Sequence, residues 1–284
     1  MHPTRDTQAL IFSRGAGGRV MPGVMLLRRK SKIIVIMNVL AANPHISLVI
    51  PAYNEAALLP RLLDSIDIAR QVFARSGGTV EIIVADNCSI DETRMIAAGR
   101  DCKVVSVEQR CIAAVRNAGA KIAMGKLLAF VDADGTIHPQ TFKQLSQILA
   151  DDSIVGGATG VTLERWSLGL AVTYALIYPF LVLTRMDTGV VFCRRADFDL
   201  IGGYDERLKF AEDVAFLWAL RCLGKRRGQR LTRATCIRGV ASTRKFDEHG
   251  DWHYFWLLRK VAVCMFNRKK VEEIADSYWY KPSR

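Results

Sequence analysis

Two aspartates separated by one small residue, Asp132 and Asp134, directly follow an apolar run at residues 127–131. Carboxylates that meet at a common point repel each other unless a cation or hydrogen-bond donors compensate their charge. Mg²⁺ or Mn²⁺ would compensate it, because these ions prefer oxygen ligands and can bridge an aspartate to a diphosphate. The pair therefore predicts a divalent-metal site.

A second acidic pair, Glu212-Asp213, opens a stretch in which apolar residues recur at helical spacing. Both acids are therefore predicted in the first turn of a helix. The helix dipole alone would explain them, since acidic residues at a helix start stabilise it by about 1 kcal/mol or less. A role in a functional site is the alternative, and the local pattern does not decide between the two.

Strands and helices alternate along the chain. Apolar, β-branched runs at residues 46–50, 80–85, 103–107 and 127–131 predict strands, and periodic segments at 58–73, 91–98 and 111–124 predict helices. Asn54 is predicted to cap the first helix. The alternation indicates an α/β fold with a mostly parallel sheet flanked by helices. Because right-handed crossovers bring the carboxyl ends of such strands to one edge, a ligand is expected there.

The residues that follow three of these strands are polar. Residues 51–55 read Pro-Ala-Tyr-Asn-Glu, Asp86 and Asn87 follow the second strand, and the aspartate pair follows the fourth. Neither the G-x-G-x-x-G nor the G-x-x-x-x-G-K-[ST] pattern of phosphate-binding loops occurs. A cation held by carboxylates is the substitute that the sequence suggests.

Composition limits the class of protein. Hydrophobic residues make up 50% and charged residues 24%, which excludes a disordered chain and a protein with many membrane spans. The net charge of +12 favours an anionic partner, such as nucleic acid, an acidic lipid surface or a phosphorylated small molecule. The seven cysteines are dispersed without a C-x-x-C pair, which is typical of a reducing compartment.

Three segments are predicted. Residues 1–44 lack a secretory signal and are expected to be a disordered basic extension, and the position of Met37 suggests a hypothesis that translation begins there. Residues 45–245 form the α/β domain. Residues 246–284 form an aromatic and basic helical extension.

Four segments together resemble family 2 of the inverting glycosyltransferases, which have the GT-A fold. They are residues 46–55 (ISLVIPAYNE), 80–93 (VEIIVADNCSIDET), 116–134 (RNAGAKIAMGKLLAFVDAD) and 203–225 (GYDERLKFAEDVAFLWALRCLGK). The resemblance implies an enzyme that transfers a sugar from a nucleotide diphosphate donor to an acceptor hydroxyl. It also implies Mn²⁺ or Mg²⁺ as cofactor.

The resemblance assigns roles to individual residues. The residues implied at the nucleotide-sugar site are Pro51, Ala52, Tyr53, Glu55, Asp86, Arg116, Asn117, Asp132, Ala133, Asp134 and Arg244. Among them, Asp86 would contact the base and Asp134, with Asp132 beside it, would ligate the metal. Asp213 would be the general base and Glu212 would lie near the acceptor. For Arg244, a phosphate clamp and a solvated basic run are both open.

Membrane contact is a further expectation. Residues 166–184 carry no charge and lie between Arg165 and Arg185, but a single span would separate Asp132–Asp134 from Asp213. Two interpretations are open: a buried or dimer-forming helix, or an element resting in a membrane interface near a lipid-linked acceptor. The expected location is cytoplasmic, with peripheral attachment to the inner face of the plasma membrane.

Two other functions compete with this interpretation. The basic charge and the aromatic tail would suit a nucleic-acid-binding protein, but no helix-turn-helix, RNP or zinc-finger pattern occurs, and no nucleic acid partner is expected. A catalytically inactive family member acting as a scaffold is the other alternative. The presence of Asp132, Asp134 and Asp213 argues against it.

Overall fold

The computed structural model describes residues 43–187, 189–208 and 211–252, together with two strands that precede them. The chain divides into two units, Met1–Asn43 and Pro44–Arg284. In the first unit, β1 (Val24–Arg29) and β2 (Lys32–Met37) pair antiparallel, within the segment that was expected to be disordered. The β-branched composition of residues 33–36 favours this pairing.

The second unit contains a seven-stranded sheet. Its strands are β3 (Ile46–Ala52), β4 (Val80–Asp86), β5 (Lys103–Ser106), β6 (Leu127–Phe130), β7 (Ile154–Leu163), β8 (Val191–Arg194) and β9 (Arg230–Ala241). They lie in the order β5-β4-β3-β6-β8-β7-β9, and only β8 runs antiparallel to its neighbours. The carboxyl ends of the six other strands therefore lie at one edge.

Helices cover both faces of the sheet. They are α1 (Leu59–Ala74), α2 (Thr93–Gly99), α3 (Ile112–Ile122), α4 (Thr141–Leu149), α5 (Leu168–Thr184), α6 (Arg195–Ile201), α7 (Glu212–Arg226) and α8 (Arg244–His249). Helices α1, α2 and α4 share one apolar core with the sheet. Helices α3, α6 and α7 form the core on the opposite face. The predicted α/β architecture with a mostly parallel sheet is confirmed.

The first helix begins later than predicted. Asn54 does not cap it: Asn54 has a left-handed backbone with φ of 53°, and α1 starts at Leu59 behind a turn closed by Leu58 and Glu55. The Asn54 side chain instead accepts a hydrogen bond from Ile90 N (2.9 Å) and so joins the loops that follow β3 and β4. Asparagine tolerates this conformation better than most residues, which explains its presence in the turn.

Helix α5 is apolar along its whole length but is largely exposed. It has 17 residues and contains Pro179. Among the helices of the described residues, none combines the length and hydropathy needed to cross a bilayer. The exposure of Leu168, Leu176 and Leu183 contradicts a buried helix, whereas the dimer-forming and membrane-interface interpretations of residues 166–184 stay predictions. Residues 253–284 of the predicted extension lie outside the described residues.

Candidate active site

The polar clusters predicted at the strand ends meet at one edge of the sheet. Ala52 at the end of β3 pairs in register with Asp86 at the end of β4. Val131, which follows β6, donates its N–H to the Val49 carbonyl of β3 (3.2 Å). The residues after β4, β3 and β6 therefore lie side by side, because these three strands are neighbours and parallel. This edge holds Pro51, Asp86 and Asp132, as predicted.

The loops after β3 and β4 support each other. Ser89 N lies 3.4 Å from both carboxylate oxygens of the buried Asp86, and Ser89 Oγ accepts from Asn54 N (3.0 Å). The half-buried Tyr53 ring has the guanidinium carbon of Arg110 over it, 5.5 Å from the centroid. A flat aromatic and a buried carboxylate at a strand end are suited to hold a ring with hydrogen-bond donors, such as a nucleobase.

The loop that carries the aspartate pair is fixed to the end of β9. Thr136 N donates to Val240 O (2.9 Å), and Val240 N donates to Thr136 O (3.1 Å). A side chain at Gly135 would lie 2.9 Å from Val240 O, so only glycine permits this approach. Ala133 is buried between the two aspartates, whereas Asp132 is 55% exposed and Asp134 is partly exposed. The carboxylates thus face the accessible side of a rigid turn.

One guanidinium joins this loop to the second acidic pair. Arg116, which is 3% exposed, donates from Nη2 to Asp132 Oδ1 (2.7 Å) and from Nη1 to Glu212 Oε1 (2.7 Å). Its Nη1 also lies 3.0 Å from Asp213 Oδ1. Burial alone would lower the pKa of Arg116, but the carboxylates of Asp213 and Asp132 raise it well above its ordinary value. The arginine stays charged and holds both motifs together.

The position of Arg116 follows from the packing of α3 and an aromatic cluster. A side chain at Gly119 would lie 2.4 Å from Val49 Cγ1, so this glycine lets α3 approach the sheet closely one turn after Arg116. The Arg116 guanidinium lies over the Tyr204 ring, 5.2 Å from its centroid. Tyr204 in turn stacks on Phe216 of α7 with centroids 4.2 Å apart. These contacts fix the guanidinium relative to the start of α7.

Asp213 has the properties of a general base. Burial raises the pKa of Asp213 to about 7, although Arg116 lowers it, and the neighbouring Glu212 and Asp132 add to the rise. Its Oδ1 is buried beside Arg116 Nη1, and a hydrogen bond with the Tyr204 side chain also lowers the pKa, so burial outweighs both. A carboxylate with a pKa near neutrality can accept a proton from a hydroxyl group. The helix dipole alone would have favoured an exposed, strongly acidic group.

Two predicted site residues, Asn117 and Arg244, make hydrogen bonds to other parts of the protein. Asn117 donates from Nδ2 to Tyr204 O and to Glu206 Oε1 (both 2.9 Å) and accepts from Tyr204 N (2.9 Å), so it holds the loop after α6. Arg244 donates to both carboxylate oxygens of Glu55 (2.8 and 3.0 Å). The latter pair connects the loop after β3 to the start of α8. Arg244 is therefore paired with a carboxylate and is not part of a solvated basic run.

Sequence reasoning missed Tyr204 and the linking role of Arg116. Tyr204 follows Gly202 and Gly203, both with positive φ, and a side chain at Gly203 would lie 2.7 Å from Asn117 Oδ1. The double glycine was the available signal that this loop approaches α3. The role of Arg116 had no local signal, because its partners are 16 and 96 residues away in the chain.

The carboxylates fit a divalent cation that is completed by a substrate. Within the described part of the chain, no three His, Cys, Asp or Glu side chains gather as metal ligands would. Mg²⁺ is often held by only one or two protein carboxylates, with water and substrate phosphates as further ligands. The accessible Asp132 and Asp134 are hard oxygen donors of this kind.

Comparison with known proteins agrees with this architecture. Residues 47–201 match the model of glycosyl transferase family 2, which is more than half of the chain. A succinoglycan biosynthesis protein, ExoO of Rhizobium meliloti, is 28% identical over 209 residues, covering 64% of this chain and 57% of that protein. The chain thus spans little more than half the length of this relative.

Two solved structures share the fold. TarS of Staphylococcus aureus, in complex with UDP-GlcNAc, has a TM-score of 0.53 at 22% identity, covering 70% of this chain and 58% of that one. Glucosyl-3-phosphoglycerate synthase from Mycobacterium tuberculosis, in complex with Mn²⁺, UDP and its product, has a TM-score of 0.51 at 21% identity, covering 80% of each chain. The GT-A fold expected from the sequence is confirmed, and the chain belongs to glycosyl transferase family 2.

Proposed function

We propose that the protein is an inverting, metal-dependent glycosyltransferase that moves a sugar from a nucleotide diphosphate donor to an acceptor hydroxyl. The observation that carries this proposal is the guanidinium of Arg116, which contacts both Asp132 of the donor-side loop and Asp213 at the start of α7. A transferase needs a leaving-group site and a base at a fixed separation. One buried arginine fixes that separation.

Asp213 acts as the general base in this proposal. It removes the proton of the acceptor hydroxyl as the oxygen attacks the anomeric carbon, on the face opposite the leaving nucleotide, which inverts the configuration. Glu212 accepts a hydrogen bond from Arg116 and would lie on the acceptor side. The pKa of Asp213, which is raised to about 7, lets its carboxylate accept this proton near neutral pH.

The donor would lie along the strand edge. Tyr53 and Asp86 would bind the base, and Pro51 and Ala52 would lie beside the nucleotide. Asp134, with Asp132, would hold Mn²⁺ or Mg²⁺, which would neutralise the developing charge of the nucleotide diphosphate. The complexes of TarS with UDP-GlcNAc and of the phosphoglycerate synthase with UDP and Mn²⁺ support a donor and a cofactor of these classes.

Cell-envelope polysaccharide or glycolipid synthesis is the proposed setting, with a sugar or a lipid-linked sugar as acceptor. The similarity to a succinoglycan biosynthesis protein supports this choice. The six cysteines of the described residues are all free, which supports a cytoplasmic location.

A thermal-shift screen of UDP-, GDP- and dTDP-sugars, each with and without Mn²⁺, tests the proposal. A ligand at a hundred times its dissociation constant adds about 2.7 kcal/mol of stability, so the correct donor should give a clear shift that needs the metal. Salt-sensitive binding of DNA or RNA without any response to nucleotide-sugars would contradict the proposal and favour a nucleic-acid-binding protein.

A further inference from the structure

Helix α5 presents an apolar surface to solvent beside the candidate active site. Leu168 is 75% exposed, Leu183 is 80% exposed and Leu176 is 59% exposed. Three aromatic rings accompany them, with Trp166 edge-on to Tyr174 at 5.5 Å and Tyr174 against Tyr178 at 5.6 Å. A surface of this kind on a monomer normally marks a contact with another molecule or a membrane.

The sheet places the start of this helix at the edge that holds the site. Strand β7, which leads into α5, ends at the same edge as β3, β4 and β6, and Glu164 N donates to Ala241 O at the end of β9 (3.1 Å). The start of α5 is anchored by Arg165, which donates to Asp247 and Asp251 of the α8 region. The contacts of Glu164 and Arg165 therefore fix the start of α5 against β9 and the α8 region.

Positive charge lies next to the apolar surface. At the other end of α5, Arg185 Nη1 donates to Leu231 O of β9 (3.1 Å), and the Arg233 guanidinium lies over Tyr178, 5.1 Å from the centroid. The helix thus runs beside β9, the edge strand of the sheet, on which Arg230 and Arg238 are exposed. Residues 214–246 include nine arginines and lysines and no aspartate or glutamate.

We propose that α5 and the exposed arginines of β9 form a docking surface for an anionic lipid bilayer. Apolar and aromatic side chains beside basic ones are the combination that binds in the headgroup region, where aromatic rings lie at the boundary and arginines contact lipid phosphates. A helix of 17 residues is suited to lie in that interface.

Charge argues against the other occupants. A second copy docked on the same surface about a two-fold axis would bring two basic strands together, and like charges repel. Residues 253–284 of this chain carry seven basic and three acidic residues, so they would also add positive charge. Arg233 is paired with Asp187, so the charge left for a partner to compensate is that of the exposed Arg230 and Arg238, which an anionic surface matches. The expectation that the acceptor is carried on a membrane lipid rests on the proposed transferase function. The docking surface itself is inferred from exposed side chains and charge and does not depend on that function.

Vesicle flotation of the full chain, with no donor present, tests the surface. The parent should bind vesicles rich in phosphatidylglycerol and bind phosphatidylcholine vesicles weakly. Leu168→Glu with Leu183→Glu should reduce binding by at least about 30-fold, since each exposed leucine contributes roughly ten-fold when buried. Arg230→Gln with Arg238→Gln should reduce binding to anionic vesicles alone, by about five-fold per charge.

Leu200→Glu is the matched control, because Leu200 is an equally exposed leucine (61%) on α6, and it should bind as the parent does. Parental binding by the α5 variant, absence of vesicle binding by the parent, or a parent dimer in sedimentation that the α5 variant abolishes would each overturn the proposal. Donor binding, measured by calorimetry on the same variants, is expected to be unchanged, so a failed docking surface and a failed transferase assignment remain distinguishable.

Discussion

Replacing Asp213 by asparagine distinguishes a base from a helix-stabilising residue, because the two roles predict stability changes of opposite sign. The pKa of Asp213 is raised from 3.8 to about 7 in the folded protein, mainly by burial. Between these values the folded state retains the proton while the unfolded chain releases it. The contribution of Asp213 to the free energy of unfolding therefore falls as pH rises from 4 to above 7.

A pKa difference of this size corresponds to at most about 4 kcal/mol. The asparagine variant carries no ionisable group and escapes this loss. We expect the variant to be as stable as the parent near pH 4 and more stable above pH 7, by up to that amount. If Asp213 only stabilised the start of α7, the variant would instead be less stable above pH 7, by about 1 kcal/mol or less.

The asparagine variant should gain stability above pH 7 but lose activity. Single-turnover transfer by Asp213→Asn should fall by about 10²–10⁴, since this is the usual contribution of a general base, while the donor dissociation constant should change little. Urea unfolding across the pH range gives the stability, with Asp152→Asn as control because that carboxylate is fully exposed. A folded variant with near-parental transfer, or one that is destabilised above pH 7, would refute the reasoning and make Glu212 the next candidate.

Three further changes have definite expected outcomes. Arg116→Lys should lower the unfolding midpoint and reduce transfer by roughly ten-fold or more, because a single ammonium group cannot replace the two guanidinium nitrogens that contact Asp132 and Glu212. Chemical unfolding and single-turnover assays measure these two effects, and Arg70→Lys is the control because Arg70 is more exposed. Asp134→Ala should abolish the dependence of donor affinity on Mn²⁺, and an unchanged response in calorimetry would show that the metal is held elsewhere. Deleting residues 1–36 should leave the melting temperature unchanged, because β1 and β2 form a two-stranded sheet of their own. An insoluble product would contradict this.

The sequence carries enough information to predict the sheet and the edge at which the site lies. Continuous apolar runs are typical of strands buried on both faces of a parallel sheet, which predicts strands at residues 46–50 and 80–85, and the carboxyl ends of neighbouring parallel strands lie at one edge. Local chemistry was less decisive at the turn after β3. Asn54 fits either a helix cap or a left-handed turn, and its contact with Ile90, 36 residues away, selects the turn.

Contacts across long stretches of sequence set the properties of the candidate base. From the sequence, Asp213 is an acid at a helix start. Its raised pKa depends mainly on burial, and also on the carboxylate of Asp132, which the fold alone brings close to Asp213. The sequence also did not decide whether α5 is buried or exposed, because a helix that is apolar on every side is normally buried.

The cluster around Arg116 contains more negative than positive charge. Arg116 supplies one positive charge to three carboxylates, those of Asp132, Glu212 and Asp213. One protonated carboxyl reduces the excess of negative charge, which is consistent with the high pKa of Asp213. A donor diphosphate would add further negative charge beside Asp132, so its binding is opposed by electrostatics unless a cation accompanies it. The neighbouring carboxylates that add to the effect of burial on the pKa of Asp213 therefore also favour a divalent metal at the donor.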